Sequence, residues 1–424
     1  MRFTLHTMFC ERFRLRRNFR FPGTPILRDK IYLKRFPQEV HTSCARPVPN
    51  ATIVFVFLGT AGGCTHIEHT VELSTRQPCM DGHTTNNQFQ EHVLTKTLST
   101  LRAGGPARLY VSVHTDEQLL DALRTLKENK TRFLVIGGGS NILFPDTGYD
   151  GCVVHMKTQN IRTISDDGVV VRVSADAGVP WDVFVEGMVA AGFWGIENLS
   201  GIPGTVGATP VQNVGAYGVE VRETIESVEC IDTTTLTEKY FSNEECLFAY
   251  RDSVFKQNPG RYVITRVTFL FSRVQNQKLG YADVADFFKD NKEPTLEEIR
   301  SAILLIRARK FPDMSVVGTA GSFFKNPIVQ KENAERLIAR YPTISTYPTP
   351  DGKIKLSLAW ILDKALQLKG FRKGNVGLCE HQPLVLVAYE GATAKEIDVF
   401  AQYIADTVRD TTGISIEREV VTIT

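Results

Sequence analysis

Two glycine-rich loops are where this chain offers a binding chemistry on its own terms. Gly137, Gly138, Gly139, Ser140 and Asn141 follow directly on the apolar run Phe133-Leu134-Val135-Ile136. Glycines admit left-handed backbone and let amide N–H groups converge on an anion, so a strand entering this loop is a candidate phosphate cradle. A tight turn between two strands is the competing reading. The loop is not a dinucleotide fingerprint, because Ile142 stands where its third glycine belongs and Ile142-Leu143-Phe144-Pro145 does not open a helix. The second loop runs from Gly201 to Gly218 with glycines and prolines throughout. Such a stretch buries little side chain, and it suits laying backbone donors and acceptors along a flat polar ligand. Val206, Val211, Val214 and Tyr217, interleaved among its glycines, argue against a floppy connector. Together the loops point to a large cofactor that contains a pyrophosphate.

Elements around the loops must position them. Leu119, Leu120, Leu123 and Leu126 share one helical stripe over 116–129. A second helix is expected from Pro180, in its first turn, to about Ala191, ending at Gly192. Tyr262 to Val267 reads as a strand. Thr295 and Glu298 form a capping box ahead of a helix through Ile299, Ile303 and Ile306 that must stop before Pro312. Further along, a helix is expected over 356–368 ending at Gly370, a strand over 383–389, and an amphipathic helix over 395–409 ending before Gly413. The closing segment 414–420 alternates. On that segment Glu419 shares a face with Ser415 and Glu417, and the pattern alone reads as a solvated edge. The whole is an α+β chain in several layers, without internal repeats.

The 424 residues suffice for two or three domains, and 42% hydrophobic with 23% charged residues is ordinary for a folded protein. A net charge of +2 gives no reason to expect a nucleic-acid or membrane-surface partner. Of eight cysteines, Cys10, Cys44, Cys64 and Cys79 precede Met80, and Cys152, Cys230, Cys246 and Cys379 are widely spread. Neither a disulfide framework nor a zinc site is indicated, and no metal is expected. Residues 1–84 form an N-terminal extension of a different character. Its arginine-rich, acid-poor beginning resembles an organellar transit peptide; a disordered extension, or translated upstream sequence with Met80 as the true start, are the alternatives. The apolar run Ile53 to Leu58 is too short to span a bilayer.

Five motifs occur in a fixed order: the Gly137–Asn141 loop, Ile202 to Gly218, Tyr250-Arg251-Asp252-Ser253, Gly321-Ser322-Phe323-Phe324-Lys325-Asn326-Pro327, and Glu417-Arg418-Glu419-Val420. From about residue 96 onward the chain thereby resembles the UDP-N-acetylenolpyruvoylglucosamine reductases of bacterial wall synthesis. Leu279-Gly280-Tyr281-Ala282-Asp283 resembles the tyrosine loop of that family's first type. The resemblance implies a two-lobed FAD-binding domain of the vanillyl-alcohol-oxidase (PCMH-like) type plus a C-terminal α+β substrate-binding domain. The implied divisions are 85–155 for the first lobe, completed by a C-terminal strand at 414–424, then 156–312 for the second lobe and 313–413 for the substrate-binding domain.

It further implies NADPH-dependent reduction of UDP-N-acetylglucosamine enolpyruvate to UDP-N-acetylmuramate, with hydride from N5 of non-covalent FAD and a proton from Ser322. Neither loop holds a histidine or cysteine that could link a flavin covalently. Arg251 and Glu419 match the residues flanking the enolic intermediate; an arginine fork suits a planar carboxylate. Gly137, Gly138, Gly139, Ser140 and Asn141 match the pyrophosphate loop. Ile202, Pro203, Gly204, Thr205, Gln212, Asn213, Gly215, Ala216, Tyr217 and Gly218 match the rest of the FAD site, joined by Arg307. Tyr281, Lys310, Lys325, Asn326 and Gln382 match substrate contacts, although a plain helix cap is an equal reading of Lys310. Phe323 and Phe324 read as packing. The partner implied is a small UDP-sugar, with no nucleic acid and no membrane, for a monomer in the cytoplasm or, through the extension, an organelle. An oxidase on the same cofactor fold and a non-catalytic FAD- or UDP-sugar-binding relic are the alternative functions. The chain departs from the pattern at Arg418, where the family has proline, at Val421 in place of arginine, and at Ser99-Thr100-Leu101 in place of Asn-Thr-Phe.

Overall fold

A computed structural model describes residues 88–424. The expectations for the N-terminal extension, for Met80 and for the four cysteines before it lie outside the described residues. A first sheet contains β1 (Gln90–Leu94) and β2 (Pro106–Val113), then β3 (Phe133–Ile136) and β5 (Tyr149–Met156), in the order β1-β2-β5-β3. β5 runs parallel to both its neighbours, β2 and β3, and α1 (Asp116–Glu128) crosses between those two. The leucine stripe decides which face of α1 turns inward. Leu119, Leu123 and Leu126 are buried, each contributing roughly 1.5–3 kcal/mol relative to exposure. Thr115 caps the helix, its side chain accepting from the Gln118 N–H. The short β4 (Ile142–Leu143) leaves the first glycine loop.

The second sheet is antiparallel throughout. β6 (Ile161–Asp166), β7 (Val170–Asp176), β10 (Ile225–Asp232), β11 (Thr237–Ser242) and β12 (Tyr262–Ser272) stand in the order β11-β10-β12-β7-β6. Between β7 and β10 come α2 (Trp181–Ala190), the long glycine loop, and a small hairpin of β8 (Gly215–Ala216) and β9 (Val219–Glu220). α2 lays Trp181 and Phe184 on Phe269 of β12, with the two phenylalanine ring centroids 4.9 Å apart. It ends as Gly192 takes φ +77°, with Pro180 standing at its N-cap. The one-turn α3 (Val254–Gln257) precedes β12. After it come α4 (Ala282–Phe287) and α5 (Leu296–Lys310), the latter with both bonds of the Thr295/Glu298 capping box.

Small sheets build the C-terminal part. One joins β13 (Ile328–Val329), β14 (Thr346–Pro348) and β15 (Ile354–Leu356), with α6 (Lys331–Arg340) between the first two. The other joins β16 (Arg372–Lys373), β17 (Val376–Leu378) and β18 (Leu386–Ala388). The helix expected over 356–368 is shorter: Leu356 pairs with Thr346, Ser357 caps α7 (Leu358–Trp360), and the chain continues as a π-helical stretch to Ala365. The strand expected over 383–389 is regular only over β18. α8 (Ala394–Thr412) closes on Gly413 in the left-handed conformation. The alternating segment 414–420 is likewise not a regular strand. β19 (Val421–Thr422) follows it and pairs in parallel with β4.

One core packs α1, α2 and α5 with the second sheet, and another gathers Phe323, Phe324, Ile361, Phe400 and Val420. Among the described residues no helix is long and apolar enough to cross a membrane.

Candidate active site

The segment carrying Ser322 is an unpaired-looking stretch in sequence, yet it is hydrogen-bonded along both edges. On one side Gly318 exchanges bonds with Ala388, and Phe323 N–H donates to Leu384 O at 2.8 Å. On the other, Lys325 N–H donates to Glu417 O and Glu419 N–H donates to Phe323 O, each at 2.9 Å. Phe323 and Phe324 are fully buried and hold this ply on the C-terminal core. Ser322 and Glu419 therefore reach the same wall from opposite ends of the C-terminal region.

Arg251 arrives from the other sheet. Ala249 and Asp252 bond each other through both their amides, which puts Tyr250 and Arg251 at the tip of a tight turn. Arg251 sits at φ +56°, a conformation that costs a non-glycine residue on the order of 1 kcal/mol. Its Nη2 donates to Gly215 O at 2.8 Å. Its Nε lies 2.9 Å from Glu419 Oε1, with the two side chains only 19% and 11% exposed. That N–H is not aimed along a hydrogen bond and has no partner, so the contact is an ion pair by distance alone. The guanidinium is thus held between Gly215 O and the Glu419 carboxylate.

Both glycine loops meet this corner. Ser140 Oγ donates to Pro203 O at 3.1 Å, while Asn141 Nδ2 donates to Gln212 Oε1 at 2.8 Å and to Glu419 O at 3.1 Å. The loops touch too closely for side chains. A Cβ on Gly137 would lie 2.1 Å from Thr205 Oγ1, and one on Gly139, at φ +60°, would lie 1.8 Å from Leu98 O.

A single cavity of about 840 Å³ runs between them. Gly137 to Asn141, Ile202 to Thr205, Gln212, Gly215, Ala216, Arg251, Arg307, Ser322 and Glu419 all line it. Among the described residues, no backbone carbonyl accepts from the amides of Gly138, Gly139 or Ser140. An elongated ligand bearing a pyrophosphate fits these features: uncommitted amides at the glycine turn, and Arg251 and Ser322 on the lining of the same cavity. Sequence reasoning missed Lys256, which also lines the cavity. Its only sequence signal was its nearness to Arg251 on a helix capped by Ser253.

Other expected residues lie outside that lining. Tyr217 is buried and hydrogen-bonded to Arg307, whose guanidinium burial holds below its ordinary range. Its ring meets Tyr281 edge-on at 5.4 Å, with Gly218 beneath at φ +83°. Asn213 is wholly buried, donating to Glu220 Oε2 and Ala249 O and accepting from Arg222 N–H, so its side chain braces the loop from within. Lys310 pairs with Asp283, two residues beyond Tyr281. Lys325 pairs with Glu417 at 2.8 Å. Asn326 accepts from Leu358 N–H and bonds Tyr250, and Gln382 accepts from Leu384 N–H at 3.4 Å. Ser99 Oγ donates to Ile142 O, whereas the Thr100 hydroxyl is buried without a partner. Cys152, Cys230, Cys246 and Cys379 are free and buried, and among the described residues no cluster of acids, histidines and cysteines could hold a metal ion.

The chain is similar to known proteins along most of the described residues. A family model described as an FAD binding domain matches residues 107–237, and one described as the UDP-N-acetylenolpyruvoylglucosamine reductase C-terminal domain matches residues 312–423. The reductase of that name from Pseudomonas putida is 41% identical over 334 residues, 78% of this chain and 98% of its own length. That of Neisseria gonorrhoeae is 44% identical over 306 residues, 71% of this chain and 88% of its own. The crystal structure of the Thermus caldophilus reductase superposes with a TM-score of 0.55 at 24% identity, covering 80% of this chain and all of that one, which shows a shared fold. With relatives this similar along nearly their whole length, the chain belongs to the UDP-N-acetylenolpyruvoylglucosamine reductase family.

Proposed function

We propose that this protein reduces UDP-N-acetylglucosamine enolpyruvate to UDP-N-acetylmuramate, with NADPH as reductant, in the supply of peptidoglycan precursors. The observation that carries the reading is the meeting of Ser322, Arg251 and Glu419 on one cavity that both glycine loops also line. Bound FAD supplies the redox step that links NADPH to the vinyl group. Gly137 to Asn141 would hold its pyrophosphate, and Ile202 to Thr205, Gln212, Gly215, Ala216 and Arg307 would hold the remainder, with Asn213, Tyr217 and Gly218 shaping the second loop from outside the lining.

The chain's own residues manage charge and the proton. Net addition of hydride to the vinyl CH2 leaves negative charge on the neighbouring carbon and its carboxylate. Arg251, which lines the cavity together with Ser322, meets that charge with its guanidinium. Ser322 delivers the proton to the carbon, and Arg251 and Glu419, which line the same cavity, supply the polar surroundings a serine hydroxyl needs for that task. Tyr281, Lys310, Lys325, Asn326 and Gln382 hold the sugar nucleotide. The reading includes the division at 85–155 with 414–424, 156–312 and 313–413; the β4–β19 pairing supports the first piece. It also includes a cytoplasmic monomer without a nucleic-acid partner.

The test is anaerobic. Purified holoprotein is reduced with NADPH, the enolpyruvyl sugar nucleotide is added, and flavin absorbance is followed. Rapid reoxidation with formation of UDP-N-acetylmuramate is expected. Flavin that stays reduced in the presence of the enolpyruvyl sugar nucleotide, with oxygen consumed on a sugar without NADPH in a separate aerobic assay, would favour the oxidase alternative.

A further inference from the structure

Lys256 lies five residues beyond Arg251 and turns back to it: its Nζ donates to the Arg251 carbonyl at 2.8 Å. The geometry behind this contact is built. Ser253 caps α3 by accepting from Lys256 N–H, while its own Oγ donates to Val211 O at 2.6 Å, docking the helix on the second glycine loop. Asp252 is occupied on both oxygens, by Ser253 N–H and Gln257 Nε2. Nothing else among the described residues donates to the Arg251 carbonyl apart from Lys256. Arg251 meanwhile holds the left-handed conformation that sends its side chain to Gly215 O and Glu419.

We propose that Lys256 is a positioning residue: its ammonium fixes the Arg251 carbonyl and so keeps the strained turn that aims the guanidinium at the reacting carboxylate. A charged donor to a carbonyl is stronger than a neutral one, which suits the task of holding an unfavourable backbone conformation. Burial weakens the ammonium, lowering it from the ordinary lysine range, and Lys325 adds to the effect while Glu419 and Asp252 oppose it. Lys256 also lines the cavity, so the same ammonium adds positive charge where the substrate carboxylate is expected.

The kinetic test rests on the reductase reading; the structural test does not. In Lys256→Met holoenzyme, reduction of flavin by NADPH stays near the wild-type rate, and reoxidation by the enolpyruvyl sugar nucleotide slows roughly 10²-fold, the scale of a misplaced catalytic group. Lys256→Arg, which retains a charged donor, recovers part of that loss. Equal losses in both half-reactions, or none, overturn the proposal. The crystal structure of Lys256→Met is expected to show Arg251 outside the left-handed region and parted from Glu419. An unchanged Arg251–Glu419 pair overturns the proposal whatever the rates. Should Lys256→Met not fold, Lys256→Gln takes its place with the same expectations. A wild-type protein that fails to turn over ends the reductase reading alone, because the variant's structure still decides the role of Lys256.

Discussion

Arg418 reaches Asp398 on α8, where its Nη2 donates to the Asp398 carbonyl at 3.1 Å and its Nη1 pairs with the carboxylate. Its neighbour Glu419 turns the opposite way, to Arg251. The backbone bonds of this ply run through Glu417 O and Glu419 N–H, so the Arg418 amide is not needed for them.

A residue without an amide N–H, such as proline, therefore costs this ply no backbone hydrogen bond at position 418. Arg418→Pro should fold, bind FAD and shift unfolding free energy by no more than about 1 kcal/mol, since the lost ion pair is partly exposed. Urea titration measures this. Failure to fold would show that Arg418 anchors the ply in a way its hydrogen bonds do not reveal.

Ser322→Ala removes the proposed proton donor without disturbing the bonds that hold its segment, which are carried by Gly318, Phe323 and Lys325. Flavin reduction by NADPH should be nearly intact, and substrate reduction should slow by at least ~10²-fold. Stopped-flow measurement separates the two steps. Equal loss in both would mean that the serine supports the site rather than reacting.

The ammonium of Lys310, assigned to the substrate, is held by the Asp283 carboxylate. On the proposed reading, substrate displaces that carboxylate or shares the lysine with it. Asp283→Asn should lower KM for the sugar nucleotide with little change in kcat, and Lys310→Ala should raise KM. If neither KM moves, the diphosphate binds elsewhere.

His155 is buried beside Tyr110, whose hydroxyl lies 3.0 Å from its Nδ1, and desolvation depresses its pKa from 6.5 to about 4. The unfolded chain takes up the proton first as pH falls, so this group's contribution to stability is complete above about 6.5 and is lost progressively toward 4. His155→Gln should reduce the drop in Tm between pH 7 and pH 4.5. A drop as large as in the parent protein would place the acid sensitivity in other groups.

Local patterns in the chain were enough for the elements whose determinants lie within a few residues. Thr115 and the leucine stripe specify α1, the Thr295/Glu298 box and Pro312 bound α5, and Gly413 ends α8. The glycine loops were legible for the same reason, since few residue types permit such close approach and positive φ. The motifs likewise named Ser322, Arg251 and Glu419, but only through resemblance to a family. Periodicity alone put Glu419 on a solvated edge, whereas the fold half-buries it against Arg251.

Tertiary structure decided what depends on contacts between distant segments. Glu419 meets the Ser322 segment because its amide bonds Phe323 O, and it meets the first loop through Asn141. Neither bond leaves a periodic trace in sequence: one joins two backbone groups that every residue has, and the other joins a lone side-chain amide to a backbone carbonyl 278 residues away. The same holds for the left-handed Arg251 and its Lys256 contact, and for the Asp283–Lys310 pair. Short-range preferences set which elements form; long-range hydrogen bonding and burial set which side chains face one another.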